Sequence, residues 1–137
     1  MKTILRIVLF AAFAIALADV PLQAHHSFAA QFDRSKPVTL TGPVTKVDWI
    51  NPHARIFMDA KDASGKVVNW EIELGAPAIL MRNGWKKTAV KIGETVTITG
   101  SLAKNGSNVA NATTVTLADG KRVFAGSSGG DGPGAQP

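Results

Sequence analysis

Residues 38–50 read V-T-L-T-G-P-V-T-K-V-D-W-I and predict one long β-strand in which the alternation of apolar and polar residues is interrupted. The apolar residues fall in two successive phases of the two-residue period, first Val38, Leu40 and Val44, then Val47 and Trp49. A slip of one residue moves every later side chain to the opposite face of a sheet. We therefore expect a β-bulge or a sharp bend near residues 42–43 or at Lys46.

Four further strands and one short helix follow from similar patterns. We predict the strands at residues 55–60, 66–74, 94–102 and 109–117. Glycine-containing turns at residues 62–65 and 105–106 join strand two to strand three and strand four to strand five, as is typical of hairpins. Pro77 and Asn83-Gly84 bracket the helix, because proline favours a first helical turn and glycine favours a left-handed helix end.

The order of three strands, a helix and two strands predicts an all-β domain with little helix. A long bent first strand and a helix between strands three and four are typical of the five-stranded OB-like barrel. The segment I-G-E-T-V-T-I-T-G at residues 92–100 resembles the fourth strand of such barrels. A different small β-barrel or a β-sandwich is the alternative that the pattern leaves open.

The chain divides into four predicted segments: a signal peptide at 1–24, an N-terminal arm at 25–37, the barrel domain at 38–120 and a disordered tail at 121–137. A positively charged start followed by an apolar run at residues 7–17 indicates an export signal, and this run is too short to span a membrane. Cleavage after Ala24 is favoured over cleavage after Ala18, because Pro21 would end the signal helix. We therefore expect a periplasmic or secreted protein with no transmembrane segment after cleavage.

Composition limits the chemistry that the exported chain can use. The full chain has 15 basic and 10 acidic residues, and removal of residues 1–24 would leave 13 and 9, a net charge of +4. The absence of cysteine excludes disulfides and thiolate metal sites. From Gly126 onward the tail is rich in Gly, Ser and Pro and has no apolar residue larger than Ala, so we expect that this stretch cannot bury enough surface to order itself.

Five motifs carry a resemblance that spans nearly the whole exported chain. They are A-H-H-S-F-A-A-Q-F-D at 24–33, V-T-L-T-G-P-V-T-K-V-D-W-I-N-P-H-A-R at 38–55, V-N-W-E-I-E-L-G-A-P at 68–77, R-N-G-W at 82–85 and V-T-L-A-D-G at 115–120. The chain resembles a family of small exported bacterial proteins of unknown function. The resemblance implies export and a shared fold, and the small residue before the histidine pair favours cleavage after Ala24. It implies no activity and no catalytic residues.

The histidines carry the sharpest chemical hypothesis. His25, His26 and His53 are the three histidines of the chain. After cleavage at Ala24, His25 would carry a free α-amine beside its imidazole, and these two nitrogens can chelate a transition metal. Nitrogen ligands suit Cu(II) and Ni(II), and imidazole also suits Zn(II). We predict a divalent metal site, copper being favoured, with His26 or His53 as the third nitrogen. The alternative is a mobile arm that binds metal only as any histidine pair would.

A second hypothesis needs no metal. Trp49, Arg55, Phe57 and Glu71 are predicted to form a ligand face on the barrel that holds an envelope protein or a small anionic ligand. Acidic residues on the same face argue against nucleic acid as a partner. The chain has no cysteine, no tyrosine, no nucleophile elbow and no H-E-x-x-H motif, which favours a binding protein over an enzyme. A copper-dependent oxidative enzyme is a third possibility, without a visible substrate surface.

Overall fold

The computed structural model describes residues 28–126, and these contain six β-strands and two short helices. In chain order the elements are α1 (Phe28–Gln31), β1 (Phe32–Asp48), β2 (Arg55–Lys61), β3 (Val67–Glu73), α2 (Pro77–Arg82), β4 (Thr95–Ala103), β5 (Val109–Thr116) and β6 (Arg122–Phe124). The predicted all-β class is confirmed. The predicted signal peptide and the residues beyond 126 lie outside the described part of the chain.

Strand pairing joins all six strands in the order β3-β2-β1-β4-β5-β6, and every neighbouring pair in this order is antiparallel. A further, parallel pairing links β3 to β5, with Glu71 opposite Val109 and Glu73 opposite Asn111. As a result, each strand from β1 to β5 pairs with at least two others. This parallel pairing brings together two parts of the chain that the hairpins alone would leave apart.

The predicted interruption of β1 is confirmed as a register shift. Val44 lies opposite Met58 and Lys46 lies opposite Phe57, so one extra residue of β1 is accommodated between them. Val44 is buried on one side of the shift, and Val47 packs against the same core on the other. The bulge therefore keeps both apolar phases of the strand on the core side.

The core is built from the predicted apolar phases of the strands. Its fully buried large side chains include Ile56, Met58, Ile72, Leu74, Leu80 and Ile98. Trp70 and Trp85 are also buried, and the Trp85 indole Nε1–H donates to the Phe124 carbonyl oxygen at 2.7 Å. Burial of one such aliphatic side chain contributes about 1.5–3 kcal/mol. With no cysteine in the chain, this core and the strand ladder hold the fold.

Both ends of the folded body extend further than the sequence predicts. Strand β1 begins at Phe32, inside the predicted arm, because Phe28 and Phe32 pack together with Ala103 as a small second cluster. Strand β6 lies inside the predicted disordered tail, where Arg122–Phe124 pairs with β5 and buries Val123. Short apolar segments of this kind are stabilised by distant partners, which local composition does not reveal.

The predicted turns form with the predicted chemistry. Gly65, Gly84 and Gly106 have φ of 83°, 87° and 77°, the left-handed region that glycine favours. Asp62 accepts hydrogen bonds from the Ser64 hydroxyl and backbone N–H and from the backbone N–H of Lys66. The Ser64 hydroxyl is the largest cause that holds the pKa of Asp62 below its usual value. This stabilising contribution is present above the unfolded-state pKa and is lost as pH falls through the lower folded-state pKa.

Gly100 lies where β4 shifts register against β5. A Cβ at this position would clash with the carbonyl oxygen of Asn111, which belongs to the backbone and cannot easily move away. We expect Gly100→Ala to lower the free energy of unfolding in urea by about 1–3 kcal/mol. The control Val67→Ala removes a side chain that is 59% exposed and should cost less than about 0.5 kcal/mol. Equal losses in the two variants would contradict this account.

Candidate functional site

His53 lies in the loop 49–54 between β1 and β2, next to the start of the β2–β3 ladder. The Asn51–Pro52 peptide bond ahead of it is cis. Directly after it, the N–H of Ala54 donates to the Gly75 oxygen at 3.1 Å, and the N–H of Leu74 donates to the Ala54 oxygen at 2.9 Å. These two bonds continue the ladder and fix the backbone beside His53. The His53 side chain is a quarter exposed.

The His53 ring contacts the buried polar side chain of Glu73, which in turn contacts Asn111. His53 Nδ1 lies 3.4 Å from Glu73 Oε1, and Asn111 Nδ2 donates to the same oxygen at 3.1 Å. Glu73 is 9% exposed and Asn111 is 1% exposed. Burial of a carboxylate is costly unless partners compensate for the lost water. The amide of Asn111 on β5 supplies one such partner, and the imidazole of His53 lies beside the same carboxylate oxygen. We call His53, Glu73 and Asn111 the histidine cluster.

Neighbouring residues on the outward face of β2 and β3 are already paired with each other. Arg55 lies opposite Glu73, and Phe57 lies opposite Glu71, so all four side chains emerge on the same face. Arg55 Nε lies 2.8 Å from Glu71 Oε1, and the Lys46 ammonium lies 4.9 Å from the centre of the Phe57 ring. Arg55, Phe57 and Glu71 therefore share one face of the sheet, and the charges on this face are largely neutralised within the protein.

Trp49 does not join that face. Its ring packs against Trp85 with ring centres 6.2 Å apart, and the side chain lies against the main core. Its indole N–H is buried and has no hydrogen-bond partner among residues 28–126. The structure thus brings Arg55, Phe57 and Glu71 together and separates Trp49 from them. The reason is the bulge in β1, after which the apolar phase, including Trp49, is directed toward the core side.

Few other donors are available to a metal in the described part of the chain. Residues 28–126 contain no group of three or more His, Cys, Asp or Glu side chains that could hold a metal ion. Glu71 is paired with Arg55, and Asp33 accepts hydrogen bonds from the hydroxyl and the N–H of Ser35. The Ser35 hydroxyl is the first cause that holds the pKa of Asp33 below its usual value. Glu73 is therefore the carboxylate that lies beside His53. His25 and His26 are outside the described residues.

Sequence reasoning missed the roles of Glu73 and Asn111. Glu71 and Glu73 stand two apart on β3, so strand alternation alone predicts that both side chains lie on one outer face. Glu73 is buried instead, because the parallel pairing with β5 sets Asn111 against it. The only local signal was the sequence A-N-A at residues 110–112, one polar residue between two small apolar ones in a strand. Such a residue is buried only when it has a polar partner.

The comparison with protein families places the histidine cluster inside a shared sequence unit. A model of a family of unknown function, DUF6152, matches residues 14–112. The chain belongs to the DUF6152 family. The matched span of DUF6152 includes all three histidines together with Glu73 and Asn111. No curated protein and no solved structure matches the chain. Within residues 28–126, no helix is long and apolar enough to cross a membrane.

The histidine cluster predicts that two asparagines of the same strand region differ in their contribution to stability. Asn111→Ala would remove the buried hydrogen bond to the Glu73 carboxylate, and we expect a loss of about 1.5–3 kcal/mol in the free energy of unfolding. Asn108→Ala changes an exposed side chain and should cost less than about 0.5 kcal/mol. Urea unfolding at neutral pH measures both. An unchanged free energy of unfolding in Asn111→Ala would show that this hydrogen bond does not stabilise the fold.

Proposed function

We propose that the chain is a small exported binding protein that holds a divalent metal, copper in the Cu(II) state being favoured, through His25, His26 and His53. The observation that carries the proposal is the contact of His53 Nδ1 with Glu73 Oε1 at 3.4 Å. Metal-binding histidines commonly donate their second ring N–H to a carboxylate, which orients the ring and raises its basicity. Asn111, in turn, holds that carboxylate from β5.

The proposal places a ring proton of His53 on Nδ1, facing Glu73, so that Nε2 would carry the lone pair that a metal needs. One imidazole nitrogen would then be available as a ligand without a change of ring orientation. Because the ring is already oriented, less conformational entropy is lost when the metal binds.

Chain geometry supports a contribution from the N-terminal histidines. Phe28 belongs to a small apolar cluster that also contacts Val109, and Val109 is two residues before Asn111 on β5. His26 is two residues before Phe28 in the sequence. The histidine pair therefore directly precedes a segment that packs against β5, the strand that carries Asn111. An export signal cleaved after Ala24 would add the α-amine of His25 as a fourth nitrogen.

The proposal includes an OB-like barrel formed by β1 to β5. It is supported by the parallel pairing of β3 with β5 beside the antiparallel pairs, and by the position of α2 between β3 and β4. In OB-like barrels the face of strands two and three and its adjoining loops bind ligands. His53 and Glu73 belong to this region.

The alternative function is an envelope interaction module that binds a protein or small anionic ligand on the barrel face without metal. It would use Arg55, Phe57 and Glu71. The ion pair between Arg55 and Glu71 and the position of Lys46 over Phe57 would have to open for an anionic ligand to bind. This cost favours the metal site, which uses the contacts of His53 as they stand.

Calorimetry with Cu(II) tests the metal site. The intact mass of the exported protein is first measured by mass spectrometry, and we expect the mass of a chain that begins at His25. It should bind one Cu(II) at least about tenfold more tightly than the same chain with an added N-terminal Gly, since a displaced ligand costs at least about 1.4 kcal/mol. Equal and weak binding by the two forms would contradict the proposal, as would an exported chain that begins at Asp19.

Glu73→Gln and Glu71→Gln provide a matched pair for the role of the carboxylate. Loss of a carboxylate that orients a metal-bound histidine costs about 10–100-fold in metal affinity, and we expect Glu73→Gln to fall in this range. Glu71→Gln, two residues along the same strand and paired with Arg55, should leave the Cu(II) affinity within about twofold. Circular dichroism verifies that both variants are folded. An unchanged affinity in Glu73→Gln would remove Glu73 from the site.

A further inference from the structure

The connection between β3 and β4 differs in charge from the rest of the chain. Between Glu73 and Glu94 there are four basic residues and no acidic residue. The same connection exposes three large apolar side chains, Ile79, Met81 and Ile92, at 38%, 51% and 70%. We define the 79–92 surface by the residues Ile79, Met81, Arg82, Lys86, Lys87, Lys91 and Ile92.

Buried neighbours hold the 79–92 surface in place. Leu80, Trp85 and Val90 are buried in the main core, and each lies next to exposed members of the surface in the chain. The hydrogen bond from the Trp85 indole to Phe124 adds a polar anchor. The exposed apolar side chains therefore project from a fixed segment, and they are not a core face left open by local unfolding.

The charges of this surface are mostly uncompensated. Lys91 Nζ lies 3.8 Å from Glu94 Oε1, but Arg82, Lys86 and Lys87 make no ion pair among residues 28–126. Protein surfaces usually mix both charge signs and keep exposed apolar residues scattered. A short segment that combines unpaired cations with exposed Met and Ile has instead the composition of one that binds at a membrane interface.

The loop 49–54 extends this end of the molecule. Trp49 packs against Trp85, which brings the loop beside the connection that carries the 79–92 surface. Ile50, the next residue, is 50% exposed. A fourth large apolar side chain thus lies at the same end of the protein, at the opposite end of β2 from the hairpin 62–65.

We propose that the 79–92 surface binds a lipid bilayer that contains anionic phospholipid. Arg82, Lys86 and Lys87 would contact the headgroup phosphates, while Met81 and Ile92 would enter the interface below them. A bilayer offers fixed negative charge and an apolar layer within a few ångströms of each other, which matches both halves of the surface. A soluble polyanion matches only the cations. The binding needs no metal and is independent of the histidine cluster.

Sedimentation with vesicles of equimolar phosphatidylglycerol and phosphatidylcholine tests the proposal on the protein as isolated after export. All variants carry the same N-terminus, verified by intact mass. We expect Lys86→Glu with Lys87→Glu to lower the partition coefficient at least about tenfold. We expect Met81→Ser with Ile92→Ser to lower it at least about threefold, because the buried apolar area is lost. Vesicles of phosphatidylcholine alone should bind much less protein, and added salt should weaken binding to the anionic vesicles.

Controls of matched chemistry lie at the other end of β2. Lys61→Glu with Lys66→Glu makes the same change in net charge, and Val67→Ser removes a side chain that is 59% exposed. Both should leave partitioning within about twofold. An equal loss in these controls would overturn the assignment to the 79–92 surface. Failure of the wild-type protein to sediment with anionic vesicles would also overturn it. So would an unchanged Met81→Ser/Ile92→Ser variant, because the cations alone would then account for the binding, as they would for a soluble polyanion.

Discussion

The parallel pairing between β3 and β5 is the constraint on which the rest of the structure depends. It sets Glu73 of one strand opposite Asn111 of the other, two residues that are 38 positions apart in the chain. In the absence of this pairing, β3 would be an edge strand and Glu73 would face water. With it, a carboxylate is buried with an amide donor, and one oxygen of this carboxylate lies beside the His53 ring. The pairing of Glu73 with Asn111 is therefore part of the strand pairing and also part of the candidate site.

Local sequence patterns predict most of the strands, turns and the bulge, because each of these features depends on residues that are close together in the chain. The slip between Val44 and Val47 encodes the bulge in β1, and the glycines of the turns encode positive φ. Local patterns do not predict where the folded part of the chain begins and ends. Phe32 is next to Asp33 and Val123 is next to Arg122, and both are buried with help from residues that are distant in the chain. Their strands therefore fell inside the predicted arm and tail.

The candidate site was predictable only in part. His53 is predictable as a candidate because it is one of only three histidines in the chain. Two-residue alternation places Glu71 and Glu73 on one face, but it cannot tell which of them a third strand covers. It also cannot give the direction of Trp49 after the bulge, and Trp49 packs against Trp85 and not on the predicted ligand face. Non-local pairing decides each of these points, and no window of sequence contains it.

In the proposed metal site, His53 and the N-terminal histidines bind the same ion, and electron paramagnetic resonance tests this proposal most directly. The measurement uses the exported protein loaded with one equivalent of Cu(II), beside the variant His53→Asn. The account predicts hyperfine coupling to several nitrogens in the wild-type protein, including an imidazole coupling that is lost in the variant. Identical spectra of the two proteins would show that His53 is not a ligand and would contradict the account.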